Sequence, residues 1–174
     1  MKINSNISKN FMGCFDEARG FAMHKSKIIK SKKNNCLSYM QNKLIIYMTL
    51  IIISSILILS SCYDCNLLII ALLLFHGANI YLIITIISII SMYHFRKKNN
   101  FKNTIIIDKD GIIDESYYGI KMIFKWNKII GIIIGKHTVT ILTDTPCYFY
   151  FPISEKDNII KAIDKYGDKS KIIN

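Results

Sequence analysis

The sequence lacks the residue patterns on which most enzyme and metal sites depend. Its eight glycines are scattered singly, so there is no glycine-rich loop of the kind that cradles phosphate groups. Its four histidines, His24, His76, His94 and His137, have no ligand-like spacing among themselves or with the cysteines. We therefore expect no enzyme activity, no cofactor and no bound metal ion.

Signals for export or lipid attachment are also missing. The first long apolar segment begins at Leu44, too far along for a secretory signal peptide, and no small-residue cleavage site follows it. The second residue is Lys2, whereas N-myristoylation requires a glycine at that position. The sequence therefore predicts neither a cleavable leader nor an N-terminal lipid.

Charged side chains are absent from two long apolar runs that lie almost back to back. Residues 44–62 and 67–93 contain no Lys, Arg, Asp or Glu, and only residues 63–66 separate them. A helix needs about 20 apolar residues to cross the core of a bilayer. The pattern predicts a two-helix transmembrane hairpin over residues 44–93, with the lipid bilayer as its first partner.

The positive charge of the chain is concentrated beside these runs. The net charge is +11, the leader (residues 1–43) is strongly basic, and Arg96, Lys97 and Lys98 follow the second run, whereas the connecting segment carries only Asp64. Basic loops remain cytoplasmic, so we expect both termini in the cytoplasm. Abundant Ile, Lys and Asn suggest a bacterial source and hence its inner membrane. The cations can contact anionic lipid head groups, and no basic stripe on a folded face indicates nucleic-acid binding.

Small and polar residues recur near the middle of the predicted hairpin. Antiparallel pairing of the two runs brings six of them to similar depth: Thr49, Ser54, Ser55, His76, Gly77 and Asn79. Polar groups in hydrocarbon need hydrogen-bond partners, and small residues let helices approach closely. We favour a packing seam, with an ion or proton pathway or an oligomer contact as the alternatives.

Two cysteines, Cys62 and Cys65, stand at the predicted outer mouth of the hairpin. In an oxidising compartment such a pair can form a structural disulfide or exchange one with a partner. The remaining cysteines, Cys14, Cys36 and Cys147, fall in cytoplasmic segments and are expected to be reduced.

The leader contains one short helical pattern. Phe11, Phe15, Ala18 and Ala22 recur at helical spacing, and Ser8 is a candidate N-cap. The leader is too short for a core of its own. We expect a short amphipathic helix that lies against the membrane or against the soluble domain.

The tail, residues 101–174, changes to a strand pattern. Ile-rich segments alternate with short turns and predict six strands: two around a turn at residues 109–111, then residues 120–126, 129–134, 138–143 and 147–153. Such short turns require antiparallel pairing. Ser154 with Asp157 resembles a capping box, and an amphipathic helix runs from there to Gly167. The predicted fold class is α+β, a transmembrane hairpin followed by an antiparallel β meander capped by one helix.

Three segments of the tail carry a resemblance to a known family: IIIDKDGIIDES (residues 105–116), FKWNKIIGI (124–132) and YFYFPIS (148–154). The opening MKINSNISKNF is similar as well. Together with two adjacent membrane helices, these segments resemble the YcxB-like bacterial membrane proteins. The resemblance implies a pleckstrin-homology-like (PH-like) tail, in which Trp126 and Pro152 match the family pattern and are read as core anchors, and it implies no enzyme activity.

These features predict a membrane-anchored, non-enzymatic binding or scaffold module that presents a PH-like domain to the cytoplasm. The unpaired edge of the small sheet is the natural docking surface for a partner protein, by strand addition. Two alternatives stay open. One is a self-immunity protein against a membrane-active bacteriocin, and the other is an accessory subunit of a membrane complex. A homo-oligomer is left open as well.

Overall fold

The computed structural model of the chain describes residues 1–6, 10–34, 36–61, 65–98, 102–117 and 120–173. Its helices are α1 (Phe11–Met23), α2 (Lys25–Ser31), α3 (Tyr39–Ser60), α4 (Cys65–Lys98) and α5 (Lys156–Tyr166). Its strands are β1 (Lys2–Asn6), β2 (Lys102–Ile107), β3 (Gly111–Tyr117), β4 (Ile120–Lys125), β5 (Ile129–Ile134), β6 (Thr138–Thr143), β7 (Tyr148–Pro152) and β8 (Ile172–Ile173). The predicted α+β class is confirmed.

The chain divides into two compact units. The β unit consists of residues 1–39 and 96–174, and the hairpin unit consists of residues 40–95. The β unit therefore joins the leader to the tail, which the sequence pattern separates into residues 1–43 and 101–174. The hairpin unit is an insertion in the β unit, because the chain leaves that unit at residue 39 and returns to it at residue 96.

The first sheet of the β unit has the strand order β1-β2-β3-β4, with every neighbouring pair antiparallel. β1 comes from the leader and pairs with β2, so that Ile3 lies opposite Ile105. The sequence pattern predicts no strand there, because Ile3 is the one core side chain of β1 among polar neighbours. Its partner strand lies about a hundred residues away.

The turn between β2 and β3 lies where the sequence predicts it. Asp108 Oδ1 accepts hydrogen bonds from the backbone N–H groups of Asp110 and Gly111. Gly111 has a φ of 149° and lies against the backbone of Phe124, a conformation and a closeness that exclude a side chain. The first predicted hairpin of the tail therefore forms around a glycine that cannot be replaced without strain.

The second sheet has the strand order β7-β6-β5-β8. β5, β6 and β7 form an antiparallel meander, and β8 pairs with β5 in parallel, with Ile132 opposite Ile172. β2 to β7 form where the six strands are predicted. β8 was not predicted, because its two residues are too few to show a period. The register of β5 shifts between Ile129 and Gly131, where Gly131 lies against the Ile29 side chain of α2.

Both sheets and α5 share one core. Its members are buried isoleucines and phenylalanines of the sheets together with one face of α5, among them Ile105, Ile112, Ile132, Phe149, Phe151, Ile159 and Ile163. The capping box predicted at Ser154 and Asp157 does not form, because residues 153–155 make a 3-10 turn and Glu155 occupies the N-cap position. α5 therefore begins at Lys156, and its N-cap lies one residue later than the predicted Ser154.

The hairpin unit consists of two long apolar helices. On α4, the buried residues Ala71, Ala78 and Thr85 recur at seven-residue intervals, which places them on one face of the helix. The ammonium of Lys43 on α3 lies 4.7 Å from the ring centroid of Tyr81 on α4, so the two helices are in contact. Most of their large apolar side chains are nevertheless exposed.

Candidate functional site

Four side chains of the predicted polar seam form hydrogen bonds within their own helices. Four hydroxyl or amide groups donate to the carbonyl oxygen of a residue three or four positions earlier, at distances of 2.8–2.9 Å: Thr49, Ser54, Ser55 and Asn79. Such back-bonding meets the requirement for hydrogen bonds in hydrocarbon without a partner helix. The donors of the three hydroxyl groups and one amide N–H of Asn79 are therefore satisfied without the opposite helix.

The seam residues differ in where they lie. Ser54 is completely buried, whereas His76 and Gly77 are exposed on α4, and nothing lies within 4 Å of a Cβ built at Gly77. The buried face of α4 is formed by Ala71 and Ala78 instead. Alanine carries no polar signal, so only its seven-residue spacing could have revealed this face in the sequence.

The thiol pair can be described only in part. Cys65 is exposed and carries a free thiol, while Cys62 lies outside the described residues, as does Ser8, the candidate N-cap of the leader helix. In the β unit, burial raises the pKa of the Cys14 thiol to about 11, and the charge of Glu17 adds to this shift. A raised pKa keeps the thiol protonated at neutral pH, and the protonated form is a poor nucleophile.

Of the two predicted anchors, Trp126 is partly buried against the core and Pro152 is partly buried at the end of β7. Trp126 follows the end of β4 at Lys125, one residue outside that strand, and donates its indole N–H to the carbonyl oxygen of Asp108 at 2.9 Å. Its ring fills the space beside Gly167, where a Cβ would lie 2.7 Å from it. Pro152 ends β7 opposite Thr138. Trp126 thus ties the β2–β3 turn to the end of α5.

A carboxylate that the sequence did not single out joins the leader to the tail. Glu17 of α1 accepts hydrogen bonds from the backbone N–H groups of Lys136, His137 and Thr138, each at 2.7 Å. The Thr138 hydroxyl donates a fourth at 3.1 Å. Successive N–H groups of a tight turn form a concavity that favours an anion. Glu17 fills this concavity at the β5–β6 turn.

Apolar contacts extend the docking of α1. The helix packs against β6 and β7, and its buried side chains include Phe11, Phe15 and Phe21. A Cβ at Gly20 would lie 2.9 Å from the carbonyl oxygen of Leu37, so α1 touches the backbone that leads into α3. The predicted amphipathic helix therefore exists and lies on the β unit.

A pocket of about 330 Å³ opens where α1 and α2 meet the β6–β7 loop. Two cations and several apolar groups line it: Arg19, Lys25, Leu142, Pro146, Cys147 and Tyr148. Lys25 Nζ donates to the carbonyl oxygens of Thr143 at 3.4 Å and of Thr145 at 2.8 Å. This lysine holds the loop against the helices and keeps its charge at the pocket.

Two arginines make cation–π contacts near the ends of the hairpin insertion, one near each end. The guanidinium of Arg19 lies 4.4 Å from the ring centroid of Tyr39, the first residue of α3. Arg96, near the end of α4, is buried, and its guanidinium lies 5.6 Å from the ring centroid of Tyr150. Each arginine and the ring that it contacts belong to the β unit, and the two pairs lie where the chain leaves that unit and where it returns to it.

No family model, no curated protein and no solved structure matches this chain. In the described parts of the chain, no three His, Cys, Asp or Glu side chains form a group that could hold a metal ion.

Proposed function

We propose that this protein is a membrane-anchored, non-enzymatic binding or scaffold module of a bacterial inner membrane. The observation that carries the proposal is the exposure of α3 and α4. Their mean hydropathies are 2.2 and 2.4, yet only 6% and 11% of their most apolar segments are buried inside the structure. A core helix of this composition would be covered by protein. Exposed apolar surface of this extent favours hydrocarbon as the surrounding solvent.

The pairing of strands in the β unit supports placing the segments before and after the hairpin on the same side of the membrane. Residues 2–6 pair with residues 102–106, so the segments before and after the hairpin form one sheet. A single folded unit cannot lie on both sides of a bilayer. If α3 and α4 cross the membrane, both flanks must therefore share one side, whatever their charge. The basic flanks then favour the cytoplasmic side.

The architecture of the β unit supports a PH-like fold and a YcxB-like membership. Two mostly antiparallel sheets enclose one core, and the amphipathic α5 covers part of it. β1, supplied from before the hairpin, and β8, supplied after α5, each lengthen one of the two sheets by a strand. The proposed domain thus includes one strand, β1, from outside residues 101–174.

The edge strand β4 is the proposed docking surface for a partner protein. β4 ends the first sheet, so one side of its backbone has no neighbouring strand within the described chain. Ile123 of β4 is 62% exposed between Lys121 and Lys125. Strand addition to such an edge obtains affinity from backbone hydrogen bonds and specificity from side chains such as this isoleucine.

One experiment tests placement and binding together. A photo-crosslinking residue at position 123 of the full chain should give an adduct with a partner in a membrane fraction that resists alkaline carbonate. The same residue at Lys161, exposed on α5, is the matched control and should give none. Release of the protein by carbonate would contradict the anchor, and equal adducts at both positions would contradict β4 as the docking edge.

A second candidate function, an accessory subunit of a membrane complex, is favoured by His76. This side chain is exposed on an apolar helix, where an uncovered imidazole in lipid would be costly. A neighbouring helix would cover it. Gly77→Cys should cross-link to another protein in membranes while Ser54→Cys, at a buried position, should not, and monomer alone would rule this function out. Bacteriocin self-immunity stays a prediction from sequence.

A further inference from the structure

We propose that the pocket beside Arg19 binds the phosphate head group of an anionic phospholipid. The proposal rests on the proposed membrane placement and adds a ligand class to it. The pocket belongs wholly to the β unit, lying between the α1–α2 junction and the β6–β7 loop. It differs from the β4 edge both in position and in chemistry, because it offers positive charge over an apolar floor.

Arg19 is held ready for an anion. Its guanidinium lies over two neighbouring aromatic rings, 4.4 Å from the centroid of Tyr39 and 5.4 Å from that of Phe15. It makes no hydrogen bond or ion pair with any residue that the structure describes. An arginine offers five N–H donors in a planar fork that fits phosphate oxygens, and stacking on aromatic rings leaves those donors in the plane available.

The rest of the lining matches the remainder of a lipid head. Lys25 adds a second positive charge, and none of the described residues that line the pocket is acidic. Leu142, Pro146 and Tyr148 supply apolar surface. A small inorganic anion would leave this surface uncovered, whereas the glycerol carbons of a phospholipid would cover it. The lining therefore favours an amphiphile over a free ion.

The position of Arg19 in the chain favours the membrane surface as the source of the ligand. The ring that supports its guanidinium belongs to Tyr39, where α3 begins. The apolar run of α3 starts at Leu44, five residues later, which is about 7.5 Å of helix rise. Lipid phosphates border the hydrocarbon core, and anionic lipids concentrate negative charge there.

Protection of Cys147 from alkylation tests the proposal directly. Cys147 is exposed and lines the pocket, so a bound head group should shield it. In a full chain with Cys36, Cys62 and Cys65 changed to serine, buried Cys14 is unreactive and Cys147 reports alone. We expect alkylation about fivefold slower in phosphatidylglycerol nanodiscs than in phosphatidylcholine nanodiscs, the effect of one cation at an anionic surface.

Two variants and one control separate the pocket from general surface charge. Arg19→Gln should abolish the difference between the two lipids, and so should Ala22→Leu, which fills the pocket without changing charge. Lys27→Gln removes the same charge from an exposed position of α2 outside the pocket and should preserve the difference. A folded Ala22→Leu protein keeps the test valid should Arg19→Gln fail to fold.

Several outcomes would overturn the proposal. These are equal alkylation rates of the parent protein in both lipids, an equal loss of protection in Lys27→Gln and Arg19→Gln, and equal protection by inorganic phosphate at the concentration of the lipid. Mixed micelles of detergent with each lipid allow the alkylation rate of Cys147 to be measured without insertion into a bilayer. If carbonate does not release the protein and Cys147 is still not protected, the pocket proposal is wrong and the membrane anchor stands. If carbonate releases the protein but Cys147 is protected in micelles, the membrane anchor is wrong and the pocket proposal stands.

Discussion

A fragment of residues 96–174, without the leader, is expected to remain unfolded in solution. It lacks β1 and α1, although it contains every strand that the sequence pattern predicts. Burial of a large apolar side chain contributes about 1.5–3 kcal/mol, so loss of Phe11, Phe15 and Phe21 alone removes roughly 5–9 kcal/mol. Whole domains have only about 5–15 kcal/mol of stability. The measurement is amide dispersion in a proton–nitrogen NMR spectrum, together with the cooperativity of urea unfolding.

The matched control for this fragment restores the leader without the hairpin. A fusion of residues 1–39 to residues 96–174 through a flexible Gly/Ser linker should fold and unfold cooperatively, because it contains the whole β unit. A flexible linker adds little closure entropy as it lengthens, so its length need not match the gap closely. Cooperative folding of the fragment alone, with the stability of the fusion, would show that the leader is an accessory and not part of the domain.

The elements that could be predicted from sequence are those with local signals. Ile-rich segments between turn residues predict β2 to β7, and long uncharged runs predict α3 and α4. Trp126, predicted as a core anchor, is partly buried against the core and lies one residue beyond the end of β4. These signals need only a window of neighbouring residues. These local signals therefore do not depend on contacts with distant parts of the chain.

The elements that could not be predicted depend on distant partners. β1 is a polar segment whose strand state exists only because β2 offers it an edge. β8 is two residues long and is extended only beside β5. Glu17 stands next to the apolar stripe of α1, and its role comes from a turn more than a hundred residues later. The Arg19 pocket has the same origin, because one wall comes from residues before the hairpin in the chain and the other from residues after it.

Glu17→Ala is expected to destabilise the β unit by roughly 3 kcal/mol. This value is of the size expected for lost hydrogen bonds to a charged acceptor, because water can hydrate part of the exposed turn in the variant. The change removes the acceptor of three backbone N–H groups and of the Thr138 hydroxyl. Asp157→Asn removes one negative charge from an exposed position of α5 and should stay within about 0.5 kcal/mol. Urea unfolding of the leader–tail fusion measures both.

A double-mutant cycle with Gly135 identifies the contact responsible. A Cβ at Gly135 would lie 2.5 Å from the Glu17 carboxylate, so Gly135→Ala should push Glu17 off the turn and cost a comparable free energy. In the Glu17→Ala background the methyl group meets no carboxylate, and the same substitution should cost far less. Residues in direct contact show such non-additivity. Strictly additive costs would mean that Glu17 stabilises the β unit by some route other than its hydrogen bonds to the β5–β6 turn.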